Sequence, residues 1–403
     1  MEEALKIHQK LITVDTHIDI KLEYFTDTRN YSTDLNTQFN LPKMQKGGLD
    51  IAWLVVYTPQ GELNDHGYKK AYQQSLEKFS AIQNLITLYA PGKICLATTA
   101  EEARSLIKQG ELVAMIGVEN LYPIGKDLSK IKEFYKLGAR YISICHNGHN
   151  QFCDSNTGEK SNYWLHNGLS DLGKKAVLEM NRLGIMVDVS HLSKQSIKQI
   201  FALSKAPIIA SHSSARALSD HSRNLDDELL ELFNEHGGVV QAVAHPVFVN
   251  KNKHYAFLAA REKLYENAAK ARGFDLLSAD SISKLSTEKK EAYYQTYLKI
   301  KTEAATDVAQ LRKEKEVNVS DFIDQIDYLV SKIGINHVGI SSDFDGGGGL
   351  EGWNNTSENP HVTYELLKRG YSEEEIGKLW GGNLLRVFDE VQMVARKLEQ
   401  QKN

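Results

Sequence analysis

Cysteine is scarce: three in 403 residues, at positions 95, 145 and 153. Their spacing matches no cysteine-based metal site, and an odd count excludes a complete disulfide framework. A Cys145–Cys153 bridge is the alternative; reduced, partly buried thiols are the expectation. Charge of one sign is also missing. With 48 Lys and Arg against 52 Asp and Glu, the net charge of −4 gives no electrostatic case for nucleic acid or an anionic membrane. No stretch approaches the ~20 apolar residues of a membrane helix. Met1-Glu2-Glu3-Ala4-Leu5 has neither the basic flank nor the apolar run of a signal peptide, and the Gln/Lys-rich C-terminus is no lipid-anchor signal. The chain as written is therefore expected in the cytoplasm, or in the periplasm or outside the cell if a signal once preceded Met1. Internal repeats and low-complexity linkers are absent. The Gly346–Gly349 run lacks the Lys-Ser/Thr of a phosphate loop. What remains is an ordinary globular balance, 41% hydrophobic and 25% charged.

β-branched apolar runs recur along this chain, separated by helical patterns. Strands are expected at Leu11–Val14, Asp50–Tyr57, Leu112–Val118, Tyr141–Cys145, Ile185–Val189, Pro207–Ala210, Val239–Val243 and His337–Ser341. Helices are expected over 2–10, 66–89, from about Thr99 with a Thr99…Glu102 capping box, and over 128–137. Others follow at 170–183 with Ser170 as N-cap and Gly184 as stop, then at 193–203, 226–235, 320–332, 373–380 and from 383. Strands alternating with helices imply parallel pairing through right-handed crossovers. Eight such units predict an α/β fold, a (β/α)8 TIM-like barrel of the metal-dependent hydrolase type, spanning 1–403 as one domain. The Lys/Glu/Ala-rich stretch 251–316 reads as a helical insertion of one or two solvent-facing helices between the seventh and eighth strands.

In such a barrel the active site lies at the C-terminal ends of the strands. There the sequence puts Asp15-Thr16-His17-Ile18-Asp19, Gly117-Val118-Glu119, His146, Asp188-Val189-Ser190-His191, Ser211-His212-Ser213 and Asp343-Phe344-Asp345. His17 and Asp19, two apart in extended chain, face one side and can serve one ion. Asp15 is cast as a supporting partner. A lone Glu119 ending an apolar strand is costly to bury unless paired or bound to metal. His191 or His212 alone reads as a hydrogen-bonded core residue; both together, beside these carboxylates, read as ligands. A donor set of N and O without thiolate suits Zn²⁺, and less exclusively Mn²⁺ or Co²⁺. The set divides into His17, Asp19 and Glu119 on one ion and Glu119, His191 and His212 on a second. Two metals activate water and polarise a carbonyl or phosphoryl oxygen. Asp343 suits a proton shuttle, Asp345 a turn. On pattern alone His146 divides almost evenly between an oxyanion stabiliser and a plain loop histidine. Arg223 reads as a surface residue, although a guanidinium near metal can fork a carboxylate.

With Ile144-Cys145-His146-Asn147, Ser222-Arg223-Asn224 and Gly382-Asn383-Leu384-Leu385-Arg386-Val387, these stretches closely resemble the membrane (renal) dipeptidase family of zinc metallopeptidases, in family order over almost the whole chain. The resemblance implies a binuclear zinc site held by His17, Asp19, Glu119, His191 and His212, with Glu119 bridging. It implies that His146 meets the scissile carbonyl and its oxyanion, that Arg223 holds the substrate's C-terminal carboxylate, and that Asp343 is the acid/base. It implies dipeptide hydrolysis by a metal-bridging hydroxide, tolerance of a C-terminal D-residue, and a homodimer. The chain departs from the family pattern at Leu121, where many relatives have glycine, in its enlarged 251–316 connection, and in lacking the secretion and lipid-anchor signals of animal relatives. These departures bear on substrate choice, compartment and oligomer contacts. The rival activity is an N-acyl-amino-acid deacylase at the same metals. A non-catalytic binding protein is disfavoured by the complete ligand set, and phosphoester hydrolysis by the lack of a basic cluster.

Overall fold

The computed structural model describes residues 1–401. Its sheet has nine parallel strands: β1 (Val14–Asp19), β2 (Ile51–Tyr57), β3 (Ile94–Leu96), β4 (Leu112–Glu119), β5 (Ala139–Ser143), β6 (Met186–Asp188), β7 (Ile209–Ala210), β8 (Val239–Val243) and β9 (Val338–Ser341). Eight run in the order β1-β2-β4-β5-β6-β7-β8-β9, and β3 pairs with β4 off that path. Asp19 N–H donates to Phe344 O at 2.9 Å and brings the two ends together, so the eight strands form a nearly closed barrel. All strand residues except Asp19, Tyr57, Cys95, Leu96 and Leu112 are buried, as parallel strands covered on both faces require.

The two-residue period separates the faces. Ile51, Trp53, Val113, Met115, Tyr141, Met186, Ile209 and Val239 cluster with Leu384, Leu385 and Phe388 of the helix Asn383–Gln400, which plugs the N-terminal end of the barrel. Ala52, Leu54, Val56, Ala114, Ile116 and Val118 pack instead with the surrounding helices. On the inward parity the apolar rows turn polar toward the C-terminal ends: Trp53 leads to Tyr57, Met115 to Glu119, Met186 to Asp188 and Ile209 to Ser211. The fold thus raises a polar floor on an apolar core.

Several boundaries differ from expectation. The first strand is Val14–Asp19 rather than Leu11–Val14, because Asp15 and Thr16 are buried by bonds to its neighbour: Ser342 N–H donates to Asp15 Oδ1 at 3.0 Å and Thr16 Oγ1 to Ile340 O at 3.1 Å. Strand Ile94–Leu96 was not expected; three residues carry too little pattern. Helix Leu41–Lys46, capped by Asn40 with proline in its first turn, was not among the expected helices. The fourth barrel strand stops at Ser143, short of Cys145. After β8 a short helical turn from Pro246 is broken by a kink at Asn250 (φ −154, ψ 87), and the stretch 251–316 then holds four helices rather than one or two: the part of Pro246–Ala271 beyond the kink, Ala279–Ser283, Thr287–Glu303 and Ala305–Lys315. The capping box at Thr99 and the Ser170 and Gly184 caps stand as read. All three cysteines are free, with Cys145 and Cys153 buried.

Candidate metal centre

A cavity of about 400 Å³ opens at the C-terminal ends of the strands. Its walls include Asp19, Tyr57, Glu119, His146, His191, His212 and Asp343. Chain turns there use left-handed residues: Asn120 (φ 80), His191 (φ 71) and Asp343 (φ 56). Such backbone is strained for residues with a Cβ and concentrates at functional sites. The turn after β9 is tight. A Cβ at Gly346 would lie 2.2 Å from Asp19 Oδ2 and 2.5 Å from Asp343 Oδ1, so only glycine lets both carboxylates approach.

Glu119 is at the centre. Its Oε2 is 3.7 Å from His17 Nε2. Its Oε1 is 3.1 Å from His191 Nε2, 3.4 Å from His212 Nε2 and 3.9 Å from His146 Nε2. Asp19 Oδ2 is 3.7 Å from His17 Nε2. The two carboxylate oxygens therefore face two different groups of imidazoles. Ligand-type atoms of three overlapping groups, His17/Glu119/His212, Glu119/His146/His191 and His17/Asp19/Asp343, each lie within 4.8 Å of one another. Asp343, assigned from sequence to proton transfer alone, thus stands by position with His17 and Asp19.

The far side of each ring fixes its tautomer. Tyr141 OH donates to Thr16 O at 3.1 Å and so accepts from His17 Nδ1 at 3.0 Å. Ser211 Oγ donates to Asp188 Oδ2 at 2.6 Å and so accepts from His212 Nδ1 at 2.8 Å. Asn147 Oδ1 accepts from His191 Nδ1 at 3.1 Å. With protons held at Nδ1, three Nε2 lone pairs point into the cavity. His191 Nε2 and His212 Nε2 are 3.0 Å apart with no proton to share, and Glu119 Oε1 is buried without a hydrogen-bond partner. Converging lone pairs and an orphaned carboxylate oxygen repel one another in a low dielectric unless a cation lies among them. The residues present fit bound divalent metal.

Electrostatics agree. Burial lowers His17 to about 4 and holds His191 and His212 well below the usual histidine range, so all three are neutral. Burial pushes Asp343 well above the carboxylate range, reinforced by Asp19 and Glu119, and pushes Asp19 up to about 7. Neutral imidazoles and crowded carboxylates are the state a metal site requires.

The remaining residues singled out in the sequence are all near the cavity. Asp15 latches β1 to β9 through Ser342 N–H, and burial raises it to about 6. Asp345 accepts from Gln38 and Phe39 N–H at 3.1 Å each, pinning a loop. His146 lies in the cavity wall, its ring 4.8 Å from Tyr57 and 4.1 Å from His191. Arg223 is not a surface residue: it is 4% exposed, donating from Nη1 to Ser213 Oγ at 3.1 Å and from Nη2 to His212 O at 2.8 Å. Its Nε is buried without a partner. It borders a second cavity of about 310 Å³ that shares His191 with the first. Sequence reading gave no role to Tyr141, Asp188 or Ser211, which brace the imidazoles, nor to Lys78 or His245, which line the cavity. A hydrogen-bonding side chain on the inward parity of a strand, one or two residues from a candidate ligand, was the available signal for the braces.

Barrel and site together define a metallohydrolase. A family model for the membrane dipeptidases (peptidase family M19) matches residues 1–402. Dipeptidase aclJ of Aspergillus oryzae is 29% identical over 369 residues, 91% of this chain and 72% of its own length. Dipeptidase 3 of Mus musculus is 27% identical over 405 residues, 98% of this chain and 68% of its own. The structure of the probable dipeptidase PvdM from Pseudomonas aeruginosa matches with a TM-score of 0.78 at 30% identity, covering 98% of both chains. A metallo peptidase from Rhodobacter sphaeroides, solved with a phosphinate mimic of the dipeptide L-Ala-D-Ala, shares the fold at 21% identity with a TM-score of 0.70, covering 94% of this chain and 99% of that one. This chain belongs to the membrane dipeptidase family of metallopeptidases.

Proposed function

We propose that the protein hydrolyses dipeptides at a pair of zinc ions. One observation carries the proposal: Nδ1-protonated His191 and His212 direct their Nε2 lone pairs at each other and at the unpartnered Glu119 Oε1, while Nδ1-protonated His17 directs its own at Glu119 Oε2. His17 and Asp19 would hold one ion and His191 and His212 the other, with Glu119, whose two oxygens face the two groups, serving both. When bound, the metals supply an activated water and polarise the scissile carbonyl. The chain's own residues do the rest. His146 Nε2 faces the cavity and donates to the oxygen on which negative charge develops. Asp343, its proton affinity raised by burial and by Asp19 and Glu119, takes a proton from the attacking water and passes it to the leaving amine. Arg223 fixes the substrate's C-terminal carboxylate, which restricts cleavage to the bond nearest that end.

The test is a substrate panel on metal-loaded protein: L,L-dipeptides, L,D-dipeptides, tripeptides and N-acyl amino acids. Cleavage of free dipeptides is expected, with any cut in a tripeptide confined to its C-terminal bond. N-acyl amino acids cleaved as fast as dipeptides would replace this reading with a deacylase.

A further inference from the structure

The helix Asp65–Asn84 buries Tyr68, Ala71, Ser75, Phe79 and Ile82, an apolar stripe laid against the barrel. Lys78 falls on that stripe, three residues after Ser75 and four before Ile82. A lysine on a buried face normally finds a carboxylate. Lys78 does not: among the described residues its Nζ has no ion-pair or hydrogen-bond partner, and it reaches into the metal-centre cavity, 5.4 Å from the Tyr57 ring. Tyr57 in turn packs on His146. Lys21 lines the same cavity, and among the described residues its Nζ too has no ion-pair or hydrogen-bond partner. Arg223 lies on the opposite side, bonded to the backbone after β7 and 5.4 Å from the ring of Phe248, while Lys78 stands over β2. The cavity's carboxylates are Asp19, Glu119, Asp343 and Asp345, against two lysines. Two divalent cations would reverse that balance and leave the Lys78 ammonium without a counter-charge.

We propose that Lys78 is a specificity-determining residue that pairs with a carboxylate on the N-terminal side of the substrate, so that the preferred substrates are dipeptides beginning with glutamate or aspartate. The inference rests on the dipeptidase reading above. Arg223 takes the C-terminal carboxylate on one side and the metals take the scissile carbonyl in the middle. The acyl-side side chain is directed toward Tyr57 and Lys78. Lys21, exposed at the rim, adds to the attraction.

The experiment compares kcat/KM for Glu-Ala with that for its neutral isostere Gln-Ala, with Ala-Ala as a third substrate, in the wild type, Lys78→Met and Lys78→Arg. Metal content is measured on each. An ion pair made alike in ground and transition states acts through KM. The wild type is expected to favour Glu-Ala roughly tenfold, carried mainly by KM, with Lys78→Met bringing the ratio to about one and Lys78→Arg keeping most of it. Calorimetric binding of the phosphinic analogues of the two peptides should show the same preference without turnover. A wild-type ratio near one, or a preference that survives in Lys78→Met, overturns the inference even if Gln-Ala and Ala-Ala are cleaved. Failure of the metal-loaded wild type to cleave any of the three peptides overturns the dipeptidase reading and this inference with it.

Discussion

Adding one methyl group at Gly117 should weaken metal binding without touching a ligand. A Cβ there would lie 2.1 Å from Tyr141 Cζ, 2.4 Å from Cε1 and 2.5 Å from the hydroxyl oxygen. Ordinary contact begins near 3.4 Å, so the ring must withdraw by more than an ångström. The hydroxyl it carries holds His17 Nδ1 at 3.0 Å and Thr16 O at 3.1 Å, and neither bond survives such a movement. Overpacking a filled core costs about 1–3 kcal/mol of stability. Losing the partner that fixes a ligand imidazole costs about 10–100-fold in metal affinity. Gly117→Ala should show both losses. Tyr141→Phe, which removes the hydroxyl and keeps the ring, should show the affinity loss with a smaller change in stability. Urea unfolding of the metal-free proteins reads the first quantity, and competition with a chromophoric chelator reads the second. Wild-type metal affinity in both variants would refute the claim that Tyr141 orients His17.

Ser211→Ala removes the acceptor for His212 Nδ1 and leaves the buried Asp188 without its hydroxyl donor; chelator competition should show at least about tenfold weaker metal binding. His8, far from the site, is buried, its Nε2 donating to Gly47 O at 2.9 Å and its Nδ1 2.7 Å from Thr363 Oγ1, and burial lowers it from its ordinary 6.5. The unfolded chain therefore takes up this proton first, so its share of stability is intact above about pH 6.5 and is lost as pH falls from there toward the folded-state value. Urea unfolding between pH 8 and 5 should be less steeply pH-dependent in His8→Gln than in the wild type, and identical slopes would remove His8 from the account.

Legibility in the sequence followed the kind of force involved. Hydrophobic periodicity exposed β2, β4 and β8 because their residues are buried on both faces and nothing else competes. It failed at β1, where Asp15 and Thr16 are buried by hydrogen bonds to β9 that no hydropathy pattern records. Ile94–Leu96 failed for brevity. The site was visible as a repeated placement of His, Asp and Glu after strands, which fixed which residues converge but not how. Glu119's two-sided contact, the Nδ1 braces and the approach of Asp343 to His17 and Asp19 depend on distances across the barrel. Arg223 was misjudged as a surface residue since an arginine in a polar loop gives no sign of being covered by Phe248. Lys78 was overlooked although its signal was local: a charge on the apolar stripe of a helix.

Elemental analysis of the purified protein, before and after exhaustive chelation, bears most directly on the central claim. Two divalent metal ions per chain are predicted in the wild type, with zinc the metal retained, and substantially less in His191→Ala and in Glu119→Gln. Dipeptide hydrolysis should vanish with the metal and return when zinc is restored. A chelated, metal-free protein that still cleaves dipeptides, or a His191→Ala variant with full metal content, would contradict the account.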